Sequence, residues 1–328
     1  MKKKKKIKEY IDVVNKELAK ISYIDKEPKE LYLPIKYSLE LGGKRLRPAL
    51  LLLANNLFGG KEEDAINAAL AIEIFHNFTL VHDDIMDNAP LRRNHPTVYK
   101  KWNTNIAILS GDVMFVQSLQ FLAKSNPTHL PEILILFNAT AIEVCEGQQL
   151  DMNFETLDNV TIDEYIKMIE LKTAVLLAAS LKIGAVLGSA TKEDANHIYE
   201  FGKNLGIAFQ LMDDILDLYG DPKKFGKQIG GDVLANKKTY LLLKAKELAK
   251  GDTKKELDFC LNSAVLDKES KVKRVTKIFD SLKIKQKAEA EMNLFYNTAL
   301  AHLDSINVIQ DKKQVFEDFA KVLMNRES

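Results

Sequence analysis

The 328-residue chain has only two cysteines and one tryptophan, and almost nowhere do polar and apolar residues alternate as a half-buried strand requires. The thiols, Cys145 and Cys260, lie far apart in sequence and without metal-ligand spacing. They exclude a disulfide-stapled scaffold and a cysteine zinc site, and read as reduced residues of a cytoplasmic protein. Charge of one sign is lacking too: Lys+Arg 47 against Asp+Glu 46 leaves a net +1, with no general pull on nucleic acid. No apolar run approaches the roughly 20 residues of a bilayer span, so no transmembrane segment is expected. The Lys2 to Lys6 run has no apolar stretch of signal-peptide length behind it, because charge resumes at Lys8 and Glu9. It reads as a solvated helix start, with a membrane-surface contact as the other option. Neither a short repeat nor a linker composition divides the chain.

What is present is helical periodicity and enough apolar material, 46% of residues, to bury a sizeable core. Ile7, Ile11, Val14, Leu18 and Ile21 recur every three or four residues and predict a first amphipathic helix. Pro28 and Pro34 bracket a loop, with Pro34 opening the next short helix. Pro48 fits the first turn of a helix to about Leu57, which Gly59-Gly60 ends. Further helices are expected at roughly 62–88, 104–124, 131–154, 161–187 and 191–219, one with a Thr161/Glu164 capping box. A Gly/Pro/Lys-rich loop follows from Gly220 to Ala235, then shorter, more charged helices to about Leu323. The expectation is one all-α domain over 1–328, a large helical bundle with a central cavity.

Two acidic clusters share one spacing: Asp83-Asp84-Ile85-Met86-Asp87 and Asp213-Asp214-Ile215-Leu216-Asp217. Each sits in a long apolar run, where aspartate is a poor helix former and adjacent carboxylates repel unless a cation screens them. At helical pitch the first and third aspartates share a face, the middle one about 100° away. Facing each other, the six carboxylates would suit hard divalent cations, and Mg2+ commonly joins a few carboxylates to substrate phosphates. Two exposed acidic turns are the alternative, which two identical copies with apolar flanks argue against.

Basic residues cluster at loop and helix-end signals. Gly42-Gly43-Lys44-Arg45-Leu46-Arg47-Pro48 offers close backbone approach beside a helix start, as a phosphate or diphosphate needs; a turn with solvated charges is its other reading. Arg92-Arg93 follows the first acidic cluster, and Lys172-Thr173 lies in an apolar helix where a lone lysine costs desolvation unless it snorkels outward. Lys227 and Lys237 come after the second cluster. Cations beside metal-binding carboxylates make sense if both hold one polyanion. His76 lies two turns before Asp83 on roughly the same face, and His82 reads as a packing or hydrogen-bonding residue.

In order along the chain stand GGKRLRP (42–48), HNFTLVHDDIMD followed by RR and PT (76–97), GD (111–112), GQQLD (147–151), KT (172–173) and FQLMDDILD through GK to KKTY (209–240). This combination resembles the trans-isoprenyl diphosphate synthase family, also called polyprenyl synthetases, from about residue 35 to 242. The resemblance implies the isoprenoid synthase fold, a bundle of mainly antiparallel helices, usually homodimeric. It implies head-to-tail joining of isopentenyl diphosphate to an allylic diphosphate with release of pyrophosphate. Asp83, Asp84, Asp87, Asp213, Asp214 and Asp217 would then hold about three Mg2+ ions on the allylic diphosphate, Asp214 and Asp217 being the weaker candidates for direct ligands. Arg92, Lys172, Lys227 and Lys237 would complete that site, and Lys44, Arg47, His76 and Arg93 would hold isopentenyl diphosphate. Thr173 and Gln210 would place oxygen dipoles near the developing carbocation. One departure is Asn94 where the family commonly has glycine after the two arginines; asparagine tolerates a left-handed backbone, so the turn is expected to persist.

The growing chain would occupy an apolar tunnel along the helix of the first cluster, where Phe78 and Thr79 stand five and four residues before Asp83. A ring there should floor the tunnel, with Phe75 one turn deeper as packing. Phenylalanine and threonine at these places, with no insertion in the cluster, resemble archaeal-type geranylgeranyl enzymes. The twenty-carbon product is expected first, the fifteen-carbon product second. A class I terpene cyclase would carry a second metal motif of Asn, Ser and Glu and lack GGKRLRP; a catalytically silent partner subunit would not need both intact acidic clusters.

Overall fold

The computed structural model describes residues 7–220, 229–263 and 265–324. Lys2 to Lys6 and Lys227 therefore lie outside the described residues. The chain forms two compact units: one takes in residues up to Ala139 with 179–199 and 306–315, the other 140–178, 200–305 and the remainder from Phe316.

In the first unit α1 (Ile7–Leu18) packs on α3 (Leu46–Leu57), and α2 (Lys29–Glu40) packs on α6 (Thr104–Leu122). The long α4 (Glu62–Met86) lies against both α3 and α6. Its first turn, Glu62, Glu63 and Asp64, puts negative charge at the positive end of the helix dipole. Below it Ala65, Ala68, Ala69 and Ala71 are buried, small enough for close helix approach, and Ile72, Ile74 and Phe75 complete the interior face. α3 is buried nearly all round, as its LLLLA run requires. Pro48 occupies its first turn, and Gly59 (φ 91) follows its end.

Pro34 departs from expectation. α2 begins at Lys29 behind an extended Pro28, so Pro34 lies inside the helix rather than opening it. The ring has no N–H for the Glu30 carbonyl; α2 tolerates that loss near its start, where Pro34 is buried with Ile35, Ser38 and Leu39. By length and mean hydropathy alone, the α6 stretch Thr104–Leu122 is the one helix among the described residues long and apolar enough to cross a membrane, and it makes no clear transmembrane segment. Asp112 interrupts it, and its inner face packs on α4 and α2.

Between α4 and the short α5 (Val98–Lys101), β1 (Leu91–Arg92) and β2 (His95–Pro96) pair antiparallel, Arg92 opposite His95. The connecting Arg93 (φ 53) and Asn94 (φ 64) are both left-handed, the geometry of a two-residue hairpin turn.

The second unit contains most of α7 (Leu130–Thr156) together with α8 (Ile162–Ile169), which opens with the Thr161/Glu164 capping box. A π-helical turn, Glu170–Ala174, joins α8 to α9 (Val175–Leu187), where a single regular helix had been expected. α10 (Lys192–Tyr219) ends in this unit. Then come α11 (Gly231–Leu234), α12 (Tyr240–Leu248), α13 (Gly251–Asn262), α14 (Lys268–Ser281), α15 (Ile284–Ser305) and α16 (Gln310–Met324). Tyr165, Met168, Leu211, Leu241 and Phe279 lie in its core.

Candidate active site

The first acidic cluster ends α4. Asp87 caps the helix, its N–H bonded to the Asp83 carbonyl at 2.8 Å, so the carboxylates of half-buried Asp83 and exposed Asp87 stand one turn apart. Asp84 turns inward and is only 3% exposed. It accepts hydrogen bonds from Arg92 Nε at 2.8 Å and from the same guanidinium's Nη2 at 2.7 Å. Burial raises the Asp84 pKa above the carboxylate norm, and Arg92 works against that rise.

A basic site lies beside the same helix. Gly42 (φ 80) and Gly43 (φ 142) adopt conformations that side chains disfavour. Arg93 donates to the Gly42 carbonyl and lies over Gly43, where a Cβ would come within 2.8 Å of its guanidinium. Arg47 Nη1 approaches His76 Nε2 at 3.2 Å, while the buried Arg47 Nε has no hydrogen-bond partner. Burial above all, then Arg47, Arg93, Arg92 and Arg45, pulls the His76 pKa well below 6.5. His76 is therefore neutral near pH 7. Because arginine can only donate, Nε2 accepts and the proton sits on Nδ1. Lys44 is exposed at the edge of this loop.

Thr79 Oγ1 donates back to the His76 carbonyl at 2.8 Å. The Phe78 ring lies 5.6 Å from Phe75, 5.4 Å from Phe115 and 4.8 Å from His82, centroid to centroid. Phe75 also meets Phe137 at 5.1 Å. Phe115 and Phe137 carried no signal in the sequence, since each is one apolar residue in an apolar run. His82 Nε2 lies 3.1 Å from the Ile108 carbonyl, and Gly111 leaves room for its ring, because a Cβ there would come within 2.2 Å.

In the second unit Asp213 is exposed and Asp214 buried. Asp214 accepts from the Tyr165 hydroxyl at 2.6 Å and the Tyr240 N–H at 3.1 Å; burial pushes its pKa up to about 7. Asp217 accepts the Asp232 N–H at 3.0 Å. Asp214, Asp217, Asp232, Lys237 and Thr239 line one pocket. Lys172 and Thr173 lie in the π turn, a distortion often found at functional sites. Lys172 Nζ is 2.5 Å from Asp151, the last residue of GQQLD. Gly147 of that segment permits a close crossing, because a Cβ there would lie 2.2 Å from the Lys172 backbone nitrogen. Gln210 is half-buried, one turn before Asp213. Tyr165 had no distinguishing signal, 49 residues from its partner in an ordinary amphipathic helix.

The donor chemistry fits a divalent cation. Asp83, Asp87 and Asp213 are the more exposed carboxylates and carry hard oxygens; Asp84 and Asp214 are buried and accept hydrogen bonds from Arg92 and Tyr165. Among the described residues no three acidic, His or Cys side chains converge as a ready-made metal cage; Mg2+ usually takes much of its shell from substrate oxygens and water and needs no such cage.

The polyprenyl synthetase family profile matches residues 28–280. The chain belongs to the polyprenyl synthetase family. It is 39% identical over 301 residues to the geranylgeranyl diphosphate synthase of Sulfolobus acidocaldarius, covering 90% of this chain and 89% of that one. It is 36% identical over 322 residues to the short chain isoprenyl diphosphate synthase of Methanocaldococcus jannaschii, covering 97% and 95%. A crystal structure of a geranylgeranyl pyrophosphate synthase superposes with a TM-score of 0.92 at 39% identity, covering 99% of this chain and all of that one. The fold of this family member is thus the all-α isoprenoid synthase fold. The family uses a divalent metal.

Proposed function

We propose that the chain is a short-chain trans-prenyltransferase that condenses isopentenyl diphosphate with allylic diphosphates, its main product geranylgeranyl diphosphate and farnesyl diphosphate second. The observation carrying this reading is what α4 brings into line: the packed Phe75 and Phe78 rings, with His76, the partner of Arg47, between them in sequence, and then the Asp83 and Asp87 carboxylates at its end. One rigid rod thus spaces an apolar floor about 7.5 Å, five residues, from the first metal-binding carboxylate.

Asp83, Asp87 and Asp213 would hold about three Mg2+ ions, which supply positive charge to the allylic diphosphate as its C–O bond breaks. Arg92, Lys172, Lys237 and Lys227 would grip the remaining oxygens of that leaving group. Asp151 steadies Lys172 from behind. Thr173 and Gln210 would set oxygen dipoles toward the allylic cation. Lys44, Arg47 and Arg93 would bind isopentenyl diphosphate, and His76 would donate from Nδ1 to one of its oxygens. Its alkene then attacks the cation, and the proton lost from the adduct passes to the departing pyrophosphate. Arg45 and Arg92 near neutral His76 have Glu73 and Asp84 as counter-charges, whereas the hydrogen bonds of Arg47 and Arg93 go to neutral acceptors, His76 and the Gly42 carbonyl, which supports a polyanion beside those two.

The reading extends to one 1–328 domain acting as a cytoplasmic homodimer. Leu109 and Val116 on α6 and Ile135 on α7 are 56%, 54% and 72% exposed, apolar surface suited to a second copy. Incubation with isopentenyl diphosphate, Mg2+ and each of dimethylallyl, geranyl and farnesyl diphosphate, followed by chromatography of the dephosphorylated products, tests the activity. Twenty-carbon alcohol should dominate; no turnover, or release of a cyclic hydrocarbon, would overturn it.

A further inference from the structure

Arg45 stands between Lys44 and Arg47, and unlike the exposed Lys44 it is buried. It is 5% exposed and left-handed (φ 48), a conformation disfavoured for a residue with a long side chain. Its guanidinium is satisfied on three sides: Nη1 pairs with Glu73, Nη2 donates to the Leu39 carbonyl at 2.5 Å, and Nε donates to Asn15 Oδ1 at 3.3 Å. Glu73 is itself 2% exposed, and its carboxylate also accepts from Asn77 Nδ2 at 2.8 Å. Glu73 and Asn77 bracket His76 on α4.

A buried ion pair is weak as a source of stability, because apolar replacements of similar volume are often neutral or better. What the arginine fork does supply is orientation, since its planar donors accept few geometries. Here the fork ties together α1 through Asn15, the end of α2 through Leu39, and α4 through Glu73. The left-handed backbone turns the chain at Arg45, so inward anchoring of this residue fixes the directions in which Lys44 and Arg47 leave it. Arg47 then meets His76, one turn from Glu73.

We propose that Arg45, Glu73 and Asn77 form a buried positioning network that sets the GGKR loop on α4, so that Lys44 and Arg47 converge with His76 on one diphosphate. The inference rests on the isopentenyl diphosphate assignment made above for those three residues. None of the network touches substrate; its effect passes through the loop.

The test is steady-state kinetics with each substrate varied at saturation of the other, alongside thermal melting, for Arg47→Ala, Glu73→Gln, Arg45→Met, Arg45→Lys and Asn77→Ser. Arg47→Ala should raise KM for isopentenyl diphosphate; if it does not, the underlying assignment fails. Given that rise, Glu73→Gln and Arg45→Met should each raise the same KM by about tenfold with the allylic KM changed less than about twofold. Arg45→Lys keeps the charge without the fork and should fall between them and wild type. Asn77→Ser takes away the amide that donates to both the Glu73 carboxylate and the Glu73 carbonyl but leaves the ion pair, so it remains informative where the larger changes do not fold; a rise of about threefold is expected. Equal changes in both KM values, or none in either, would overturn the positioning role and leave a purely structural ion pair.

Discussion

Tyr165 donates its hydroxyl hydrogen to Asp214 at 2.6 Å, so the middle aspartate of the second acidic cluster is occupied by the protein rather than turned outward. Its neighbour Asp213 is exposed. On the proposed function the two adjacent carboxylates have separate duties, and substitution should separate them. Asp213→Asn should lower kcat by about two to three orders of magnitude and raise the Mg2+ concentration giving half-maximal rate. Asp214→Asn should keep that concentration near the wild-type value. Equal effects in a Mg2+ titration would mean that both bind metal.

Removing the donor should cost folding. Tyr165→Phe leaves a buried carboxylate one hydrogen bond short and is expected to lose about 1–3 kcal/mol in urea unfolding. A loss near zero would show that water replaces the hydroxyl.

Product length should respond on two helices. Phe78→Ala should shift the product toward longer chains, and so should Phe115→Ala, because the two rings stack at 5.4 Å and, on the proposed function, would floor one space together. Chromatography of dephosphorylated products reads both. An unchanged spectrum from Phe78→Ala removes that ring as the floor.

Gly147→Ala is a sharper lesion than its one methyl suggests. The new Cβ would fall 2.2 Å from the Lys172 nitrogen, which is backbone and cannot swing aside. Overpacking of this kind costs about 1–3 kcal/mol, and displacement of the π turn should lower kcat as Lys172 and Thr173 move. Melting and turnover on one preparation test both parts.

His76 makes the protein acid-sensitive in a defined direction. Its folded pKa lies well below the ordinary 6.5, chiefly through burial and secondly through Arg47. Below pH 6.5 the unfolded chain binds a proton that the folded chain refuses, so stability should fall with falling pH by up to about 1.4 kcal/mol per unit. His76→Asn should flatten that part of the stability profile between pH 6.5 and 5, measured by denaturant titration. An unaltered slope would place the acid-sensitive group elsewhere.

The helices were legible because their apolar positions recur at helical spacing and their ends carry proline, glycine or a capping box; the expected 62–88 helix is Glu62–Met86. The π turn was not legible, since ELKTA satisfies a regular helix equally well and only the close approach of Gly147 distinguishes it. Pro34 misled because proline favours a first turn, whereas the extended Pro28 had already started that helix. Candidate site residues stood out in the sequence where charge interrupts apolar runs, as at Asp83 and Lys172. Asp214 looked like the exposed Asp213 beside it, because its partner Tyr165 is remote in sequence. Arg45 likewise was indistinguishable from Lys44 and Arg47 until its burial was known.

The left-handed Arg93-Asn94 turn sends consecutive guanidinium groups apart: Arg92 goes to Asp84, Arg93 to the Gly42 carbonyl. In the proposed chemistry this hairpin apportions one cation to each of two substrates from neighbouring positions in the chain. A β-branched residue in place of Asn94 would close that fork and starve both diphosphates of an arginine through a single change that contacts neither.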